Sequence, residues 1–270
     1  MEAMSARFIA VHGHRGARAA FPENTIEAFA YAIEAGADYI ELDVLATRDD
    51  VLVACHDPVL RRRSIGPPGT RVVRQLTLER LRAFDCGSRR NRLFRRQAAV
   101  PGARIPTLDE VFGLAGRGAF RFNIEVKSIP ARPELSPPAD VYATLLADAI
   151  RPRGLEHRVQ SFDFDVLREV RRAAARIPLA ALCDLGHPDF VRAAAETGAA
   201  SVGPYHRMAT RRRVERAHAA GIAVVPWTAN RPADWRRLVR AGVDGIITDD
   251  PAGLIAFLEA RGLRDGSRRL

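Results

Sequence analysis

The chain reads as an α/β protein, a (β/α)8 TIM barrel with an excursion inserted after its second strand, and three observations predict this. Strand-like apolar runs alternate with helical stripes, and eight of the runs are parallel once a hairpin return is set aside. A length of 270 residues suits one such barrel, for which about 250 is typical. The residues best equipped for chemistry recur where the strands end, the side on which these barrels carry their sites.

Residues 8–11 form the first strand and run into His12-Gly13-His14-Arg15-Gly16, where glycines let the backbone turn and approach a ligand. Pro22-Glu23-Asn24-Thr25 then opens a helix. Asn24 with Glu27 fits a capping box, Ile26, Phe29, Ala30 and Ile33 share one stripe, and Gly36 ends the helix. The next strand, Ile40-Glu41-Leu42-Asp43-Val44, makes the opening a β-α-β unit. Its side chains alternate, so Glu41 and Asp43 share a face. Two carboxylates buried on one face need a cation between them, or one must keep its proton. Oxygen-only ligands suit Mg²⁺ or Ca²⁺ better than zinc.

After an Asp49-Asp50 turn the chain returns through a second apolar run to His56. If the loop is two residues, Arg48 pairs with Val51 and His56 comes opposite Asp43, because cross-strand partners share a face, whereas a three-residue loop shifts that register. Residues 58–106, rich in arginine, glycine and proline, form the excursion, with a short helix over 76–84. A helix over 107–115 follows. Phe122-Asn123-Ile124-Glu125-Val126-Lys127 then repeats the earlier pattern, placing Asn123, Glu125 and Lys127 on one face. Lys127 is the only lysine among 42 basic residues, which suggests that this position requires a compact ammonium.

Further strands are expected over 157–162, 178–182, 200–204, 222–228 and 245–248, separated by helical stretches. Asp250-Pro251 opens the last helix as N-cap and first helical residue. The domain reading is a single barrel over 1–262, with 58–106 as its inserted excursion and 263–270 as a flexible basic tail.

Composition narrows the function classes. Apolar residues make up 47% and charged ones 27%, so the chain is neither disordered nor membrane-spanning. Cys55, Cys86 and Cys183 lack C-x-x-C spacing and read as free thiols, not a zinc site. With no signal-like N-terminus, a cytoplasmic location is expected. The formal charge of +10 comes from scattered arginines without interleaved stacking aromatics, so no nucleic-acid partner is expected.

These motifs resemble, in order, those of the glycerophosphodiester phosphodiesterases: His14-Arg15-Gly16 with Pro22-Glu23-Asn24-Thr25, Glu41-Leu42-Asp43-Val44, His56-Asp57, Glu125-Val126-Lys127, Gln160-Ser161-Phe162-Asp163, Trp227-Thr228 and residues 242–249. The resemblance implies a metal-dependent barrel that cleaves glycerophosphodiesters to glycerol 3-phosphate and an alcohol. It also implies Glu41, Asp43 and Glu125 as ligands of Mg²⁺ or Ca²⁺, His14 and His56 as acid and base, Arg15 and Lys127 as phosphate contacts, and Trp227 on the glycerol side. The chemistry agrees, since an anionic diester needs charge neutralisation, a proton acceptor and a proton donor. His12 stands where the family more often has an apolar residue and is read as a core histidine. Two rival readings share the barrel: phospholipase D-type cleavage of lysophospholipids or sphingolipids, and a non-catalytic glycerophosphate-binding barrel.

Overall fold

Eight parallel strands form the wall of a barrel in a computed structural model that describes residues 8–60, 64–153 and 157–264. In chain order the strands are β1 (Ala10–Gly13), β2 (Tyr39–Ala46), the short return β3 (Leu52–Ala54), β4 (Arg121–Val126), β5 (Arg158–Ser161), β6 (Leu179–Cys183), β7 (Ser201–Pro204), β8 (Ala223–Val224) and β9 (Gly245–Thr248). Their spatial order is β8-β7-β6-β5-β4-β2-β1-β9, all neighbours parallel, with β3 antiparallel on β2. Single backbone bonds complete the circle between the end strands. The amide of Asp244 donates to Val224 O (2.9 Å) and that of Ile247 to Pro226 O (3.0 Å), while the Asp244 carboxylate accepts from the Val224 amide (2.7 Å).

Nine helices are assigned among the described residues: α1 (Ile26–Glu34), α2 (Leu78–Leu81), α3 (Leu108–Phe112), α4 (Ala139–Ile150), α5 (Phe164–Ala173), α6 (Phe190–Thr197), α7 (Arg211–Ala219), α8 (Pro232–Ala241) and α9 (Pro251–Glu259). Aspartates cap three of them: Asp163, Asp189 and Asp250 accept amides of α5, α6 and α9. Each such cap stabilises its helix by about 1 kcal/mol. Apolar side chains of β2, Ile40, Leu42 and Val44, are wholly buried with Phe29 and Ile33 of α1 in the main core. The alternation that turns them outward toward the helices turns Glu41 and Asp43 into the barrel, where both are buried.

Three local expectations are corrected. Thr25, not Asn24, caps α1, its hydroxyl accepting the Ala28 amide (3.2 Å); Asn24 instead takes a left-handed turn (φ 57°) and faces Asp43. The hairpin register is shifted by one: Val44 pairs with Ala54 and Thr47 bonds Val51, leaving a three-residue turn whose last member, Asp50, has φ 57°. Cys55, not His56, therefore lies across from Asp43 and donates its amide to Asp43 O (2.9 Å). Finally, Leu263 and Arg264 of the expected flexible tail are docked, Arg264 in a buried ion pair with Asp38, while residues 265–270 lie outside the described residues.

The connection after β3 carries its own apolar cluster, in which Leu60, Val73, Leu76, Leu81, Phe84 and Ile105 pack with Leu45 and Val53 of the hairpin. The excursion is thus built onto the barrel by packing. Among the described residues no helix is long and apolar enough to cross a membrane, and all three cysteines are free thiols.

Candidate active site

Where β1 ends, the chain must turn sharply enough to bring Arg15 back over β2. Gly13 and Gly16 permit this: a Cβ on Gly13 would meet Gly16 O at 2.4 Å, and Gly16 has φ +83° with the Ala28 carbonyl against it. Arg15 itself adopts φ 52°, a conformation costing about 1–2 kcal/mol for a side-chain-bearing residue. The strain is offset by the contacts it makes possible. The Arg15 amide donates to Glu41 Oε2 (2.8 Å), its guanidinium donates to Glu23 Oε1 (2.9 Å), and its Nε lies 3.0 Å from Asp43 Oδ2.

The pairing of β2 with β4 sets the carboxylates. Asp43 stands beside Glu125 and Glu41 beside Asn123, so the expected triad converges, with one oxygen of each residue within 4.8 Å of the others. Asn24 fixes Asp43 from the α1 side by donating Nδ2 to Oδ2 (2.8 Å) and accepting the Asp43 amide at Oδ1 (3.2 Å). Gln160, from β5, donates to Glu41 Oε1 (3.2 Å). Lys127 lies against both Asp43 (2.9 Å) and Glu125.

Burial, then the charges of Asp43 and Glu125, raise the Glu41 pKa well above the ordinary carboxylate value. Burial would raise Asp43 as well, but Lys127 and then Arg15 hold it well below the usual range. The same carboxylates outweigh burial to keep Lys127 charged, its pKa raised. One acidic group in the cluster therefore favours its proton unless further positive charge arrives. The three carboxylates each bring an oxygen within 4.8 Å of the others, and the donor set is all oxygen. Both features fit a hard divalent cation.

His14 bonds Asp249 through Nδ1 (2.5 Å), and Asp249 is held in turn by Asn230 Nδ2 (2.7 Å). Burial lowers the His14 pKa from its ordinary value, more than the pull of Asp249 restores, so the ring is neutral near pH 7. His56 leaves the end of β3 and bonds its neighbour Asp57 through Nδ1 (2.8 Å). With the hairpin register shifted by one, cross-strand pairing does not put His56 beside the carboxylates. It reaches the cavity because the strand stops at Ala54 and the chain bends inward.

His14, Arg15, Glu41, His56, Glu125, Lys127 and Trp227 line one cavity of about 400 Å³, with Asp43 buried behind Lys127. All eight expected residues are therefore brought together. Phe162, Leu182 and Ile247 form the apolar wall beside Trp227, whose indole donates to Gly203 O (2.7 Å) and meets Phe162 edge-on at 5.4 Å. His12 is not in the cavity lining; it is buried, stacks on Tyr39 at 4.2 Å and is kept neutral by burial and then by Arg158, as a core histidine. Site contacts that the sequence reading did not assign are made by Gln160 and Asp249, and by Asn24, which was expected to cap a helix. Each lies in or beside a motif at a strand end, and that position is the only sequence signal they carry.

A family model described as the glycerophosphoryl diester phosphodiesterase family matches residues 14–253. A relative from Caldanaerobacter subterraneus subsp. tengcongensis, named glycerophosphodiester phosphodiesterase, is 38% identical over 255 residues, spanning 93% of this chain and 98% of the relative. A crystal structure from Silicibacter pomeroyi is 33% identical, covers 95% of both chains and superposes with a TM-score of 0.87. An Oleispira antarctica phosphodiesterase, solved in complex with its product sn-glycerol 3-phosphate, shares the fold at 20% identity (TM-score 0.80, covering 93% of this chain and 97% of that one). Matched over nearly its whole length, with Glu41, Glu125 and both histidines lining one cavity, this chain belongs to the glycerophosphoryl diester phosphodiesterase family.

Proposed function

We propose that the barrel hydrolyses glycerophosphodiesters to glycerol 3-phosphate and an alcohol, with Glu41, Asp43 and Glu125 holding a divalent cation, Mg²⁺ or Ca²⁺. The observation that carries this reading is the convergence of three buried carboxylates with two histidines and two cations around one cavity in a chain of this family. When bound, the ion supplies Lewis-acid charge that neutralises the diester and lowers the pKa of an attacking hydroxyl.

The chain's own residues do the rest. Arg15 spends part of its fork on Glu23 and Asp43 and offers the remaining N–H donors to a non-bridging phosphate oxygen. Lys127 adds a compact charge on the same side. His14, neutral and oriented by Asp249 at Nδ1, accepts at Nε2 the proton of the attacking oxygen, whether from water or from the substrate's neighbouring hydroxyl. His56, nearer the mouth with its side chain 31% exposed, delivers a proton to the departing alkoxide. Trp227 and the apolar wall exclude water from the glycerol side.

The test is a panel of glycerophosphodiesters and lysophospholipids assayed for glycerol 3-phosphate and for free alcohol, with and without divalent metal. Turnover of glycerophosphodiesters with release of glycerol 3-phosphate supports the reading. Turnover confined to lysolipids favours the phospholipase D-type rival, and binding without turnover favours the glycerophosphate-binding one.

A further inference from the structure

Among the described residues, the two most exposed large apolar side chains are Leu93 (80%) and Leu185 (86%). Leu185 lies between β6 and α6, after a strand C-terminal end, and Leu93 lies between α2 and α3 in the excursion, which is bonded to the loop after β1, so both lie on the barrel's catalytic side. Leu93 is the apex of an arginine-rich turn. Arg89, Arg90, Arg92, Arg95 and Arg96 surround it, all exposed, and no acidic residue occurs between Asp85 and Asp109.

The turn is held at the rim of the active site. Gln97 donates to Arg18 O (2.8 Å) and Phe21 O (3.0 Å), the Ala98 amide donates to Ala20 O (2.8 Å), and the Arg18 guanidinium lies over the Phe94 ring at 5.3 Å. On the Leu185 side, a cleft of about 500 Å³ between the start of α6 and α7 is lined by Arg212 and Arg213, and by Arg216 in an ion pair with Asp189 (3.0 Å).

We propose that the catalytic face docks reversibly on an anionic phospholipid bilayer, with Leu93 and Leu185 entering the acyl boundary and the arginines meeting lipid phosphates. Exposed leucine gains nothing from a solvated polyanion, whereas insertion into a headgroup region removes its surface from water. Arginine flanks supply attraction to anionic lipids over zwitterionic ones. Nucleic acid fits less well, because base stacking calls for exposed aromatics and the apex of this turn is aliphatic. Docking presents the cavity mouth to the lipid surface, and it stands or falls independently of the hydrolytic reading.

The test is co-sedimentation of the full chain at low salt with vesicles of phosphatidylcholine alone or equimolar phosphatidylcholine and phosphatidylglycerol. The expected result is binding to the mixed vesicles only. The pair Arg92→Gln with Arg95→Gln should weaken partitioning about thirtyfold, and the pair Leu93→Ser with Leu185→Ser about a hundredfold. Far-ultraviolet circular dichroism, a check on folding, should stay unchanged in both. Absence of binding to mixed vesicles overturns the proposal. So does a leucine variant that partitions like the parent protein, since that would mark a surface responding to charge alone.

Discussion

Lys127 separates two carboxylates, and its place among arginines makes its chemistry testable. It lies between Asp43 and Glu125 with only 17% of its side chain exposed, where a planar guanidinium has no room without displacing a carboxylate. Lys127→Arg should leave the fold intact, as read by circular dichroism, yet reduce kcat nearly as far as Lys127→Ala. Wild-type turnover in the arginine variant would show that charge alone suffices. His14→Ala and His56→Ala should each lower kcat by about 10²- to 10⁴-fold with smaller changes in KM, and His12→Ala should do much less. Asp249→Asn removes a charge that raises the His14 pKa. The acidic limb of the rate profile, if His14 must be neutral, should therefore move to lower pH, and an unmoved limb would remove Asp249 from the mechanism. The triad was legible because alternation within a strand fixes which side chains share a face. Asp249 was not assigned a role, because its bond to His14 spans 235 residues and leaves no local pattern.

At the level of elements, a single left-handed residue decided where the sequence reading failed. Asp49-Asp50 signals a turn, but Asp50 at φ 57° adds a third residue to the loop and shifts every cross-strand pair by one. Asn24 carries the same conformation, which frees its side chain from capping α1 and aims it at Asp43. The excursion shows the opposite limit: its irregular sequence hides an anchor. Burial would raise the Asp85 pKa, but Asp85 accepts the amides of Gly87, Ser88 and Gly102 and the Ser88 hydroxyl, which together outweigh it and hold the pKa below the ordinary value. The sign follows from that depression: its contribution is present above the ordinary carboxylate pKa of about 3.9 and is lost as pH falls through the lower folded value. Asp85→Ala should open the 86–102 segment and speed tryptic cleavage at its arginines about tenfold at neutral pH, with barrel circular dichroism unchanged. An unchanged cleavage rate would show that packing, not Asp85, holds the segment.

Across the whole molecule, the first strand and Arg264 are tied through Asp38. Its carboxylate accepts the Val11 amide (2.7 Å) at the barrel's first strand and both terminal guanidinium nitrogens of Arg264 (2.5 and 3.0 Å), of which Nη2 also donates to Gly36 O (2.7 Å). Arg264→Ala leaves a buried carboxylate without its cation and should cost about 3 kcal/mol in denaturant unfolding; a loss under about 0.5 kcal/mol would mean that Asp38 is already satisfied. The barrel was readable from β-α alternation, whereas this clamp was not, because a basic residue in a polar terminal stretch looks the same whether docked or solvated. Divalent-metal dependence is the claim on which the mechanism rests. Glycerol 3-phosphate release should be followed after exhaustive chelation, again after adding Mg²⁺ or Ca²⁺, and in parallel for Asp43→Asn. The account predicts that chelation abolishes release, that one of the two ions restores it to the wild-type chain, and that neither restores it to the variant. Undiminished release from the chelated wild-type protein would contradict it.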